Sequence, residues 1–212
     1  MTYPLGDFRT YKGKDRLHEP LFVMQVIFES VGRAQYLVLK GAPIQTSPGE
    51  TWEFACYQFR DVEVRTPIHG PLEFAMKNEV PQSTGFGVVA VGPKTDMGPL
   101  ITVIPFYTQM LLPFFVEFYE KYVLWLRANV DAREFTKWPM VWQFAMVVRN
   151  AASHGGKINL KDATIPPRTW YNLSYSTADY GREPFKTDLF IGDLLILMKE
   201  MSEALDALGC RE

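Results

Sequence analysis

The segment TQMLLPFFVEFYEKYVLWLRANV, residues 108–130, decides the fold class. Leu111, Phe114, Phe115, Phe118, Tyr122, Leu124, Trp125 and Val130 give it a wide apolar face at helical spacing, which predicts one long helix. Pro113 falls near the first turns, where a missing N–H costs little. A polar link, DAREFTK, leads into PMVWQFAMVVRNAAS, residues 139–153, the second predicted helix. Pro139 sits at its start, and Val141, Phe144, Ala145, Val148 and Ala152 form its expected buried stripe. Gly155-Gly156 ends it, because glycine accepts the left-handed backbone of a helix stop. A last helix is expected from Asp188 to Leu208, with Phe190, Leu194, Leu197, Met201, Leu205 and Leu208 on one face, Thr187 as N-cap and Gly209 as stop. These helices predict a mainly α fold, a helical bundle with an irregular or small β-containing N-terminal region.

Outward from this half the chain is less legible. Residues 1–19 read as a polar arm, extended or loosely docked, and residues 20–212 as a single domain whose part 20–107 is unassigned. Residues 21–40, LFVMQVIFESVGRAQYLVLK, carry a 3.6-residue stripe from Phe22 to Val38, which favours a helix. Their β-branched content also allows a hairpin turning near Ser30–Arg33. Residues 50–62 are expected to form a short helix carrying Trp52, Phe54, Ala55 and Phe59. Proline and glycine punctuate residues 63–106, within which GFGVVAVG reads as a short strand. Its Gly-x-Gly-x-x-Ala string, Gly85 to Ala90, is set aside as a dinucleotide fingerprint. The flanks VPQST and GPKTDMGP do not supply the required strand-then-helix frame.

Composition narrows the function classes. The chain has 212 residues, 47% of them hydrophobic and 22% charged, which excludes wholesale disorder. Lys and Arg number 22 against 24 Asp and Glu, so a globally basic nucleic-acid coat is excluded. Two cysteines, Cys56 and Cys210, and three histidines argue against a disulfide scaffold or a structural zinc site, and no metal or cofactor is expected. The N-terminal stretch lacks the apolar run of a signal peptide, so a reduced, cytoplasmic protein is expected. Met97–Val116 is uncharged and long enough for a bilayer, but Gly98, Pro99, Pro105 and Pro113 interrupt it. It reads as a buried segment feeding a core helix rather than a membrane span.

The stretch with chemistry in it is VVRNAASHGGKI, residues 147–158. Asn150 and His154 are four apart and share a helix face. Arg149 and His154 are five apart, about 140° around an ideal helix, and a histidine at the fraying end can swing back toward the arginine. This stretch resembles the signature of the HEPN superfamily: an arginine, four to six residues, then a histidine, with a polar residue after the arginine. Here these are Arg149, Asn-Ala-Ala-Ser, His154, and Asn150 as the polar residue. The apolar helix before it, the Gly-Gly stop after it and the final helix with Gly192-Asp193-Leu194-Leu195 extend the resemblance over about residues 108–208.

The resemblance implies an α-helical homodimer. In catalytic members of the family, Arg149 and His154 of two copies would meet in one cleft, assisted by Asn150, for metal-independent RNA cleavage of a toxin or defence type, with an antitoxin protein as a further partner. The chemistry is consistent with these residue types. RNA carries its own nucleophile, the 2′-hydroxyl, and histidine can carry a proton in either direction near neutral pH. An arginine fork matches the phosphate charge of the transition state. Arg149, Lys157, Lys161 and Arg168 against Asp162 alone make the region locally basic, and Lys157 and Lys161 are the expected substrate-binding cations. The alternatives are a non-catalytic RNA- or nucleotide-binding module, or a purely structural helical dimer in which Arg149, Asn150 and His154 only satisfy a helix end. A third places the function in the unmatched N-terminal half. His69 and His18 read as incidental, and Glu117/Glu120 and Glu200/Glu203 as solvated helix faces.

Overall fold

A computed structural model of the chain describes residues 6–41, 51–56, 62–67, 71–90, 104–132 and 134–211. They divide into two compact units. One comprises the described residues up to Phe54 and from Val62 to Ala90; the other runs from Ile104 to Arg211 and includes Ala55 and Cys56.

The N-terminal unit contains β1 (Gly6–Lys12), α1 (His18–Lys40), β2 (Thr51–Ala55), β3 (Val62–Pro67), α2 (Pro71–Met76) and β4 (Ser83–Ala90). The strands form one sheet in the order β1-β4-β3-β2. Antiparallel β4 places Ser83 opposite Lys12 and Ala90 opposite Val62. Residues 21–40 are helical: Leu21, Met24 and Phe28 are buried, and Gly41, at φ 67°, closes α1 by donating its N–H to the Leu37 carbonyl at 2.8 Å. Gln25 fixes α1 to the sheet by donating to the Gly85 carbonyl at 3.0 Å and to the Thr66 hydroxyl.

Two expectations fail in this unit. Thr51–Ala55 is a strand rather than part of a helix over 50–62. Trp52 and Phe54 alternate with polar neighbours, the period of a pleated strand, and a place in the sheet overrides a weak helical pattern. Residues 57–61, with Phe59, lie outside the described residues. The other is His18, which is not incidental: it opens α1, is buried, and its Nε2 meets the Pro81 carbonyl at 3.0 Å. Of the two readings of the polar arm, extended or loosely docked, residues 6–12 take the extended one and pair with β4 as an outer strand, a position that tolerates polar side chains. The GFGVVA part of the predicted strand is β4, while His69 lies outside the described residues.

The C-terminal unit contains α3 (Ile104–Asn129), α4 (Met140–Ser153), a hairpin of β5 (Arg168–Trp170) and β6 (Leu173–Tyr175), a short α5 (Pro184–Thr187) and α6 (Ile191–Ala207). Single 3₁₀ turns occupy 135–137 and 177–179. The fold is mainly helical with small antiparallel sheets. Helix α4 is central and contacts α3, α6 and β5. Trp142 is fully buried, with its ring 5.4 Å from Tyr119 and 6.4 Å from Phe118, and its indole N–H donates to the Met201 carbonyl of α6 at 3.0 Å. Two residues on, Phe144 stacks on Tyr175 at 5.3 Å and lies 5.5 Å from Trp170.

The details differ from the sequence reading where local signals competed. Trp142, Gln143, Val147 and Ala151 join Phe144, Ala145 and Val148 in the buried set, while Val141 and Ala152 are only half-buried. Helix α3 begins four residues earlier than expected, which puts Pro113 in its interior on the exposed side. Pro139 is the N-cap of α4 rather than its first residue. The last helix begins three residues later than expected, at Ile191, and Thr187 ends the separate short α5 instead of capping α6. The cap of α6 is Phe190, whose backbone N–H is taken by the Asp193 carboxylate at 2.9 Å, with Asp193 itself fully buried. Gly209, at φ 81°, follows the end of α6 as expected. Residues 168–175, between the second and last predicted helices, are the β5–β6 hairpin. Among the described residues no helix is long and apolar enough to cross a membrane.

Trp142→Ala is expected to cost about 3–5 kcal/mol in urea unfolding, because it removes a large side chain at the meeting of three elements. Leu124→Ala, at a 64% exposed position on α3, is expected to cost a few tenths.

Candidate functional site

Helix α4 ends where the sequence predicts. His154 is its C-cap residue, and its N–H donates to the Ala151 carbonyl at 3.2 Å. Gly155 and Gly156 both adopt positive φ, 75° and 77°, and the Gly156 N–H returns to the same carbonyl at 2.8 Å. The His154 side chain is exposed and has no hydrogen-bond or ion-pair partner among the described residues.

Arg149 is differently placed. Its Nη1 donates to the Asn150 side-chain oxygen at 3.0 Å, and its Nη2 forms a close ion pair with Glu120 Oε1 of α3. Its Nε is buried and has no hydrogen-bond partner among the described residues. Arg149, Asn150 and Glu120 are therefore one polar group joining α3 to α4, and no hydrogen bond ties His154 to it. Tyr119 lies in the field of Arg127, Arg149 and Glu120; burial pushes its hydroxyl well above the usual tyrosine range, so it stays protonated.

Lys157 and Lys161 project from the loop after the glycines, along residues 180–183. The Lys157 ammonium is 4.0 Å from Glu183, and that of Lys161 is 5.6 Å from the Tyr180 ring centre. Ile158 holds the two loops together, donating to the Arg182 carbonyl at 2.9 Å and accepting from the Gly181 N–H at 2.8 Å. Arg168, counted above in the basic excess, does not reach the surface. It is 1% exposed, lies 4.8 Å from the centre of the Phe135 ring and donates from Nη1 to Gln143 Oε1 at 2.5 Å. Its Nε and Nη2 have no hydrogen-bond partner among the described residues, and burial lowers its pKa from the ordinary arginine value.

Four polar residues escaped the sequence reading. Glu120 and Glu200 are not simply solvated: Glu120 meets Arg149, and Glu200 accepts from the Trp170 indole at 2.7 Å and the Tyr171 hydroxyl at 2.6 Å. Gln143 was signalled only by its presence inside an apolar run. Its amide donates to the carbonyls of Thr136 and Trp138 at 2.9 and 2.7 Å while its oxygen accepts from Arg168. Arg168 had no distinguishing signal. Among the described residues no cluster of three or more His, Cys, Asp or Glu is arranged to hold a metal ion.

Gln143→Leu is expected to destabilise the protein by about 1–3 kcal/mol, since it leaves Arg168 and two carbonyls unsatisfied. Adding Arg168→Met should restore much of that loss, because removing the stranded charge removes its desolvation cost. Thermal unfolding of the single and double variants checks both expectations.

No family model, no curated protein and no solved structure matches this chain.

Proposed function

We propose that the C-terminal unit is a HEPN-like helical module that cleaves RNA through the 2′-hydroxyl without a metal ion. The active form is a two-fold homodimer of the toxin or defence type, kept in check by an antitoxin protein. The observation that supports this reading is His154: a free, exposed imidazole at the rigid end of a buried helix, one and a half turns beyond Arg149. Histidine supplies proton transfer near neutral pH, and Arg149 supplies a cation for the phosphate. The exposed Lys157 and Lys161 extend positive charge along the neighbouring loop, where a phosphate backbone gains from it.

A second reading is a non-catalytic RNA- or nucleotide-binding or purely structural dimer module. The specific observation in its favour is that Arg149 is already engaged by Glu120 and Asn150. A half-exposed ion pair of this kind is worth about 0–1 kcal/mol, so an RNA phosphate can displace it.

The purified protein is expected to cut RNA in EDTA, leaving a 2′,3′-cyclic phosphate and a 5′-hydroxyl. His154→Ala should lower the rate by about 10²-fold or more without lowering the melting temperature. Arg149→Lys should also be impaired, since an ammonium lacks the bidentate fork, and Asn150→Ala should be milder. Full activity in folded His154→Ala removes the histidine from the mechanism. Light scattering at micromolar concentration should give twice the chain mass; a monomer overturns the dimer.

A further inference from the structure

Cleavage through the 2′-hydroxyl needs two proton carriers, one to take the nucleophile's proton and one to protonate the leaving 5′-oxygen. Among the described residues one copy of the chain presents a single free imidazole, so a second histidine from among them would have to come from another copy. The structure offers a nearer group. Glu120 of α3 lies against the tip of Arg149, is 46% exposed, and has no partner other than Arg149 among the described residues. We infer that Glu120 is the general base of the cleavage reaction and His154 the general acid, with Arg149 holding the phosphate, so that each copy carries a complete acid–base set. This assignment rests on the RNA-cleavage reading above.

The placement suits an in-line displacement, in which the entering and leaving oxygens lie on opposite sides of phosphorus. Helical side chains lean toward the N-terminus of their helix, so Arg149 reaches back along α4 toward Glu120. His154 lies the other way, five residues or about 7.5 Å further along the axis. In this assignment the carboxylate and the imidazole act from opposite sides of the phosphate that Arg149 holds. Other groups nearby are less suited. Tyr119 is buried and held protonated, and Asn150 has no proton to exchange at neutral pH. The ion pair is exposed enough for an incoming phosphate to share the guanidinium.

The step balances. A Glu120 oxygen takes the proton of the 2′-hydroxyl as the 2′-oxygen bonds to phosphorus. The bond from phosphorus to the 5′-oxygen breaks, and the departing oxygen takes the proton of the His154 imidazolium. The products are the cyclic phosphate and a free 5′-hydroxyl. Protonated Glu120 and neutral His154 return to their starting forms by exchange with water.

The test uses two substrates in EDTA: an oligoribonucleotide, and uridine 3′-(4-nitrophenyl phosphate), whose nitrophenolate departs without needing a proton. Glu120→Gln is expected to lose on the order of 10²-fold in kcat on both, with KM unchanged or lower because Arg149 is released. His154→Ala should lose as much on the oligonucleotide and at most about tenfold on the aryl ester. Glu120→Asp should recover part of the loss, and an equimolar mixture of Glu120→Gln and His154→Ala should do no better than the two alone. Full activity of Glu120→Gln, no recovery in Glu120→Asp, equal losses of His154→Ala on both substrates, or restored activity in the mixture overturns the assignment. A wild-type protein that cleaves neither substrate overturns the RNA-cleavage reading, and the assignment with it.

Discussion

Helix α4 has no wet side over most of its length, and the C-terminal unit is arranged around that constraint. Seven of its fourteen residues are buried, including the consecutive run Trp142–Ala145, so the helix needs cover in nearly every direction. Helices α3 and α6 supply two walls, and the aromatic residues of the β5–β6 hairpin supply a third through Phe144. A helix packed this way has a fixed axial position, so its C-terminal end is a stable platform. The glycine pair stops the chain abruptly there and leaves His154 standing outside the packed volume.

The arginines of the unit range between two extremes. Arg182 bridges Asp179 and the buried Asp188, which also accepts from the Tyr175 hydroxyl at 3.0 Å. Burial, followed by the nearby Asp188, pushes the Tyr175 hydroxyl far above its ordinary range, so the network stays intact across physiological pH. Arg168 is the opposite case, a buried cation with one amide oxygen and one aromatic face for company. A charge held in this way costs stability unless its site compensates. Arg149 lies between these extremes, paired but still part-exposed.

Helix positions were legible where a 3.6-residue stripe ran long and met a clear stop. Residues 108–130, 139–153 and 21–40 all became helices, and Gly155-Gly156 and Gly209 mark ends as read. The β elements were less legible because each draws its stability from a partner far away in sequence. Thr51–Ala55 is a strand only because the sheet gives it a place, and residues 6–12 look like a polar tail until β4 lies beside them. Of the candidate site, the residue types and the helix end were visible in the motif itself. Glu120 was not, because 29 residues separate it from Arg149 and only the packing of α3 on α4 brings them together. A carboxylate on a polar helix face looks the same in sequence whether it meets water or an arginine.

The β5–β6 turn has an implication for how this sequence can drift. Tyr171 occupies the turn at φ 50°, a conformation that usually favours glycine or asparagine. Its hydroxyl and the neighbouring Trp170 indole both donate to one carboxylate, Glu200 of α6. Only a carboxylate of that reach accepts from both rings at once: glutamine offers a single oxygen and sets an N–H against one donor, and aspartate is shorter by a methylene. A glycine at position 171 would relax the backbone but strand half of that carboxylate. The three positions are thus coupled, and divergent copies of the chain should replace Trp170, Tyr171 and Glu200 as a set, with single exchanges among them surviving rarely.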